Sequence, residues 1–225
     1  RLGGRKRDVN LKDRRHIKTR ANELLRVKRG CVCLSQVCPM VKLRARCAVV
    51  GDAAVGKSAL SQMFRSDGGH FQKNYSMTAG VELLLKSVNI PETSDSVELY
   101  IFDSAGRETF VEACEKMWGQ PSVVCVVFDI TSLASFNSCS RWLERVRAHC
   151  HGLQVPGVLV GNKSDLSSRR EVEAAVAQEW AQSQGLQYHE TSAKDMENCD
   201  APLLSLAQAF YSLYQDRRQM IQSLG

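Results

Sequence analysis

From residue 40 onward the hydrophobic positions follow two alternating periods. "RARCAVVG" (residues 44–51) is a short apolar run closing on glycine, and "SALSQMFRS" (58–66) repeats its apolar residues at helical spacing. A buried strand, a loop and a helix are therefore predicted. "VELLLKSVNI" (81–90) and "VELYIFD" (97–103) are β-like runs on either side of the polar "PETSDS", which predicts a hairpin. "SVVCVVFD" (122–129) and "PGVLVGNK" (156–163) are unbroken apolar runs, as expected of strands covered on both faces. Between them, "SLASFNSCSRWLERVRAH" places Phe136, Trp142, Leu143 and Val146 at helical spacing. "REVEAAVAQEWAQSQG" predicts a helix capped by Gly185, and "LQYHETS" a short strand. The last helix, "DAPLLSLAQAFYSLYQDRRQ", is expected to take Asp200 as N-cap and Pro202 in its first turn. Leu203, Leu206, Phe210 and Leu213 would share its buried face. Strands alternating with helices imply an α/β domain, a mostly parallel sheet with helices on both faces. No repeat or Pro/Gly-rich linker interrupts residues 40–218, so they form one domain, flanked by residues 1–39 and a short tail, 219–225.

Charge sharpens that division. Residues 1–39 hold 12 of the 30 Lys and Arg but only 3 of the 24 Asp and Glu, so the net charge of +6 sits at one end. That segment has no sustained apolar period and reads as a disordered extension. A basic arm for nucleic acid or anionic membrane is the functional alternative, and upstream sequence joined to a domain that opens at Met40 is another. No nucleic-acid partner is expected for the globular part. Nine cysteines scattered through predicted strands and helices predict buried free thiols and an intracellular, soluble chain. No apolar run reaches the roughly 18–20 residues of a membrane span. Cys31, Cys33 and Cys38 lack a second ligand pair at zinc-site spacing, and His149, Cys150 and His151 fall at a helix end. Both clusters read as structural.

The chemistry concentrates at strand ends. "GDAAVGKS" comprises Gly51, Asp52, Ala53, Ala54, Val55, Gly56, Lys57 and Ser58, followed by Ala59. It fits G-x-x-x-x-G-K-[ST] in the context that motif requires, after a strand and opening a helix. Backbone N–H groups of such a loop point inward at phosphate, and the helix N-terminus adds positive potential. Lys57 would neutralise terminal phosphates and the Ser58 hydroxyl would ligate Mg²⁺. Asp103, ending a neighbouring strand in "FDSAG", would hold the same metal through water, and Gly106 would let backbone approach the phosphate.

Base choice falls to "GNKSD". A carboxylate at Asp165 accepts from guanine N1–H and the exocyclic amine, whereas adenine offers it a lone pair. Such pairing discriminates by roughly 10⁴–10⁵. The Lys163 stem would lie along the base and Asn162 would tie loops together. In "ETSAK", the backbone of Ser192, Ala193 and Lys194 would reach the guanine carbonyl.

In these residues the chain resembles the small GTPases of the Ras superfamily, nearest the Rab branch. "GDAAVGKSAL", "YSMTAGVELLLKSV", "FDSAGRETF", "GNKSDL" and "ETSAK" match its signatures in order and spacing over about four-fifths of the chain. The likeness extends through "FRSDGGHFQKNY" to the Rab-like GTPases of intraflagellar transport. The resemblance implies a P-loop GTPase (G domain) with a six-stranded sheet, one antiparallel edge pair and five helices. It implies GTP/GDP and Mg²⁺ as cofactors, Thr78 on the γ-phosphate and metal, and Phe71 edging onto guanine. Where the family usually places a glutamine that orients the attacking water, this chain has Arg107, which can only donate hydrogen bonds. Ala53 adds a methyl group where glycine would leave room for water, a lesser departure because many Rab-like proteins carry another residue there. Slow intrinsic GTP hydrolysis is therefore expected. The chain ends without the cysteines that Rab proteins use for prenylation, so no direct lipid anchor is expected. The resemblance implies a place in the cytoplasm, cilium and basal body, and a protein partner in a transport complex, a small β-sandwich subunit. Tyr211, Tyr214, Met220 and Ile221 supply a second apolar face of the last helix for it.

Overall fold

The computed structural model describes residues 40–66 and 77–224. Phe71 and the Cys31, Cys33 and Cys38 cluster lie outside the described residues, as does the whole of 1–39. Six strands, β1 (Lys42–Val50), β2 (Val81–Asn89), β3 (Ser96–Ser104), β4 (Val123–Asp129), β5 (Gly157–Asn162) and β6 (Leu186–Thr191), form one sheet in the order β2-β3-β1-β4-β5-β6. Every pairing is parallel except the β2–β3 hairpin. The expected six strands and antiparallel edge are both present.

The helices are α1 (Lys57–Ser66), α2 (Val111–Trp118), α3 (Leu133–Asn137), α4 (Cys139–Ala148), α5 (Ala174–Ser183) and α6 (Asp200–Ser223). The single helix expected over residues 132–149 is divided at Ser138, so six α-helical segments stand among the described residues where five helices were expected. The Ser138 hydroxyl donates back to the Ala134 carbonyl at 3.1 Å, a side-chain bond that bends helices. In α5 the helix ends as expected: Gly185, with φ 71°, takes the left-handed position that closes the last turn. Asp200 is not the N-cap of α6. The helix already includes it, Cys199 precedes it without a side-chain cap, and Asp200 favours the first turn only through its charge. The same helix runs on to Ser223, so residues 219–223 continue it.

Two cores sandwich the central strands. On one face Trp118, Phe128, Trp142, Leu143 and Val146 pack around the outward side chains of β4. On the other, Leu60, Phe64, Leu99, Val160 and Leu206 close over the opposite side. β4 and β5 are buried at every position, which explains their unbroken apolar sequence. Of the four residues expected to anchor α6, Leu203 and Leu206 are buried, while Phe210 and Leu213 are half-buried. Tyr211 belongs to the domain and not to a free second face. Its hydroxyl donates to Asp95 Oδ2 at 2.6 Å, and its ring packs against the core. Because the parallel strands share a direction, the carboxyl ends of β1, β3, β4 and β5 bring Gly51, Asp103, Asp129 and Asn162 to one rim of the sheet.

Candidate nucleotide site

The loop between β1 and α1 is shaped by close contact on both flanks. A Cβ added at Gly56 would lie 2.2 Å from the Asn162 amide nitrogen, and one at Gly106 would lie 2.4 Å from the Ala53 backbone nitrogen. Only glycine permits these approaches, so the loop is wedged between the β5 end and the Asp-x-x-Gly segment. Ala54 holds φ 64°, a left-handed conformation unusual for a side-chain-bearing residue. The Lys57 ammonium curls back over the loop and donates to the carbonyls of Gly51 at 2.9 Å and Asp52 at 2.7 Å. Burial lowers its pKa to about 8, against the pull of Asp103 and Asp52. It is still charged at neutral pH.

Ser58 and Thr78, both expected on the metal, lie together: their hydroxyls are 2.8 Å apart. Asp103 is 1% exposed, and both of its carboxylate oxygens are buried without a hydrogen-bond partner among the described residues. Burial pushes this carboxyl up to about 6, and the nearby Ser58 hydroxyl and Lys57 charge offset only part of that. A buried carboxylate with no donor, beside two hydroxyls, is a donor set suited to a hard cation with oxygen ligands. The residues present therefore fit a cation such as Mg²⁺, which Ser58, Thr78 and Asp103 would hold.

At the opposite end the polar groups satisfy one another. The Asn162 amide donates to the Val55 carbonyl at 2.9 Å, and its oxygen accepts from Thr191 at 3.2 Å and the Ala193 N–H at 3.3 Å. One buried side chain thus joins the phosphate loop to the segment after β6. Asp165 accepts from the Ser192 hydroxyl at 2.8 Å and from the Lys194 ammonium at 3.2 Å. Burial works against its charge, but these two donors outweigh it and hold the carboxyl below the ordinary range. The Lys163 ammonium meets Asp129 Oδ2 at 2.6 Å. Of the expected site residues within the described chain, the structure gathers the loop, Thr78, Asp103 and Gly106 at one end. Asn162, Lys163, Asp165, Ser192, Ala193 and Lys194 gather at the other.

Arg107 stands apart. Its side chain is exposed and has no hydrogen bond or ion pair among the described residues. The next residue, Glu108, is paired with Arg145 and, at 3.9 Å, with Arg141. His149, Cys150 and His151 form no metal group among the described residues: Cys150 is buried and donates to the Val146 carbonyl, while His149 edges onto Trp118.

Two supports escaped sequence reasoning. Asp52 is more than a loop position: its Oδ1 accepts from the buried Trp142 indole at 2.7 Å and anchors the loop to α4. Asp129 carries Lys163. Its signal was available, because "VFD" at the end of β4 repeats the pattern of "IFD" at the end of β3.

Comparison with known proteins agrees with this geometry. The Ras family model matches residues 46–212. The chain is similar to the human intraflagellar transport protein 27 homolog, 54% identical over 83% of this chain and 100% of the relative. It is 42% identical to intraflagellar transport protein 27 of Chlamydomonas reinhardtii, over 78% of this chain and 88% of that one. The GTP-binding protein YPTM1 of Zea mays is 34% identical over 72% of this chain and 75% of its own length.

Proposed function

The chain belongs to the Ras family of small GTPases, and from that premise we propose that it is a Rab-like nucleotide switch serving as a subunit of intraflagellar transport. The observation that carries the switch reading is the paired arrangement of the rim: Asp103, without a hydrogen-bond partner among the described residues, beside Ser58, Thr78 and Lys57 at one end, and Asp165 and Asp129 already matched to Ser192, Lys194 and Lys163 at the other. Support for the transport role is the 54% identity to the human intraflagellar transport protein 27 homolog along that protein's whole length.

In this reading Gly51 to Ser58 cradle the phosphates, Lys57 balances their charge, and Asp165 reads the guanine edge. Ser58, Thr78 and, through water, Asp103 would hold Mg²⁺, which would supply electrostatic stabilisation of the phosphate oxygens. Thr78 follows the bound nucleotide and orders its segment for a partner. Hydrolysis is slow, because an exposed Arg107 offers donors only and cannot accept a proton from an attacking water. The protein works in the cytoplasm, at the basal body and in the cilium, within a complex whose small β-sandwich subunit engages the end of α6. Met220 (65% exposed) and Ile221 (71%) remain available there, whereas Tyr211 does not.

Purified chain that retains GDP or GTP through gel filtration, and exchanges it for labelled GDP but not ADP, bears this out. Equal retention of both nucleotides would refute it. Sedimentation with and without the β-sandwich subunit tests the partner: no shift on mixing removes it.

A further inference from the structure

Asp129 closes β4 on the pocket rim, one strand beyond β1 from Asp103, and no motif of the nucleotide site includes it. It is 8% exposed and its oxygens are fully used. Oδ1 accepts from the Thr131 N–H at 2.8 Å and hydroxyl at 2.7 Å, and Oδ2 accepts from the Lys163 ammonium at 2.6 Å. The tie is doubled through the backbone. Asp129 is registered opposite Asn162 across β4 and β5, and the next N–H, of Ile130, donates to the Asn162 carbonyl at 3.1 Å.

Lys163 is thereby held at both ends. Its backbone adopts φ 69°, in the left-handed region, and its carbonyl accepts from the Leu166 N–H at 2.9 Å. Its ammonium is fixed on a nearly buried carboxylate. A lysine with only one end fixed samples many rotamers, and ordering it has an entropic cost that any ligand resting on it must meet. Fixed at both ends, the four-carbon stem becomes a preformed apolar bar. We propose that Asp129 is a positioning residue for nucleotide retention: it acts through Lys163, keeping that stem in place as one wall of the purine pocket. The proposal rests on the base-contact reading of Lys163.

Release of fluorescently labelled GDP from the full chain in Mg²⁺ buffer tests it. Asp129→Asn, which keeps shape but loses the charge, is expected to speed release about tenfold or more. Lys163→Ala is expected to do the same, and Asp129→Asn added to Lys163→Ala to change release by less than about threefold. Thr131→Val, which removes one of Asp129's other donors and leaves the lysine pair, is expected to stay within about twofold of the unmodified chain. That variant, at a half-buried surface position, decides the matter even if Asp129→Asn does not fold. Full additivity of the Asp129 and Lys163 changes, or a tenfold effect of Thr131→Val, would assign Asp129 to the turn and overturn the proposal alone. A Lys163→Ala chain that releases GDP at the unmodified rate would overturn the base-contact reading and the proposal with it.

Discussion

Asp103 and Asp129 lie at the carboxyl ends of two parallel strands that flank β1, each after a phenylalanine, yet the structure treats them oppositely. The Asp129 carboxylate accepts from three donors, and it is held below the ordinary range: burial works against the charge, and Lys163 and Thr131 outweigh it. Asp103, more deeply buried, has no hydrogen-bond partner for either carboxylate oxygen among the described residues and is pushed up to about 6 by burial. The base end of the pocket is complete in itself, with Asp165 also matched to Ser192 and Lys194. The phosphate end stores unmet electrostatic demand. Affinity for charge and response to charge should therefore concentrate at Asp103 and Lys57, and discrimination between purines at Asp165.

The largest expected effect comes from removing the buried ammonium of Lys57, which curls over the phosphate loop. Lys57→Ala should abolish nucleotide retention, as read by extraction and chromatography of purified protein. Asp165→Ala should leave the phosphate end intact but erase the preference for GDP over ADP, a change of about 10⁴-fold in relative affinity. Competition binding of the two nucleotides measures it.

Asp103 gives an effect whose sign depends on the ligand. Its folded pKa of about 6 exceeds the ordinary 3.8, so the folded chain binds this proton more tightly than the unfolded chain does. The cost of burying it is absent below about pH 4, grows as pH rises, and is complete above about 6. Asp103→Asn should stabilise nucleotide-free, metal-free protein by about 3 kcal/mol at pH 7.5, with little change at pH 4. With Mg²⁺ and GDP present, the same substitution should lower the melting temperature. Stabilisation in both states would break the contrast between the two aspartates.

Arg107→Gln should raise single-turnover GTP hydrolysis by about tenfold, since an amide both accepts from and donates to water. An unchanged rate would mean that something other than the arginine limits the chemistry. The smallest effect belongs to Arg145→Ala. Its pair with Glu108 lies at the surface, and its loss should cost less than about 1 kcal/mol in chemical denaturation.

The fold was almost wholly readable from sequence, because strands buried on both faces and helices with one apolar face leave different periods. What escaped depended on single side chains. Ser138 divides a helix through one hydroxyl, and Asp200 sits inside the helix it was expected to cap. Residues 219–223 extend α6 although its buried face has already ended, since exposed residues continue a helix without leaving a periodic pattern. At the site, motif spacing gave the groups that face a ligand but not those that hold them from behind. Asp129 and Trp142 act through other side chains, and such contacts span 34 and 90 residues of sequence.

Calorimetric titration of nucleotide-free chain with GDP and with ADP, each with Mg²⁺ and with chelator, tests the contrast most directly. The account predicts that GDP outbinds ADP by at least about 10³-fold with or without metal, while Mg²⁺ strengthens the binding of either nucleotide. Equal affinities for the two purines, or GDP binding indifferent to Mg²⁺, would contradict it.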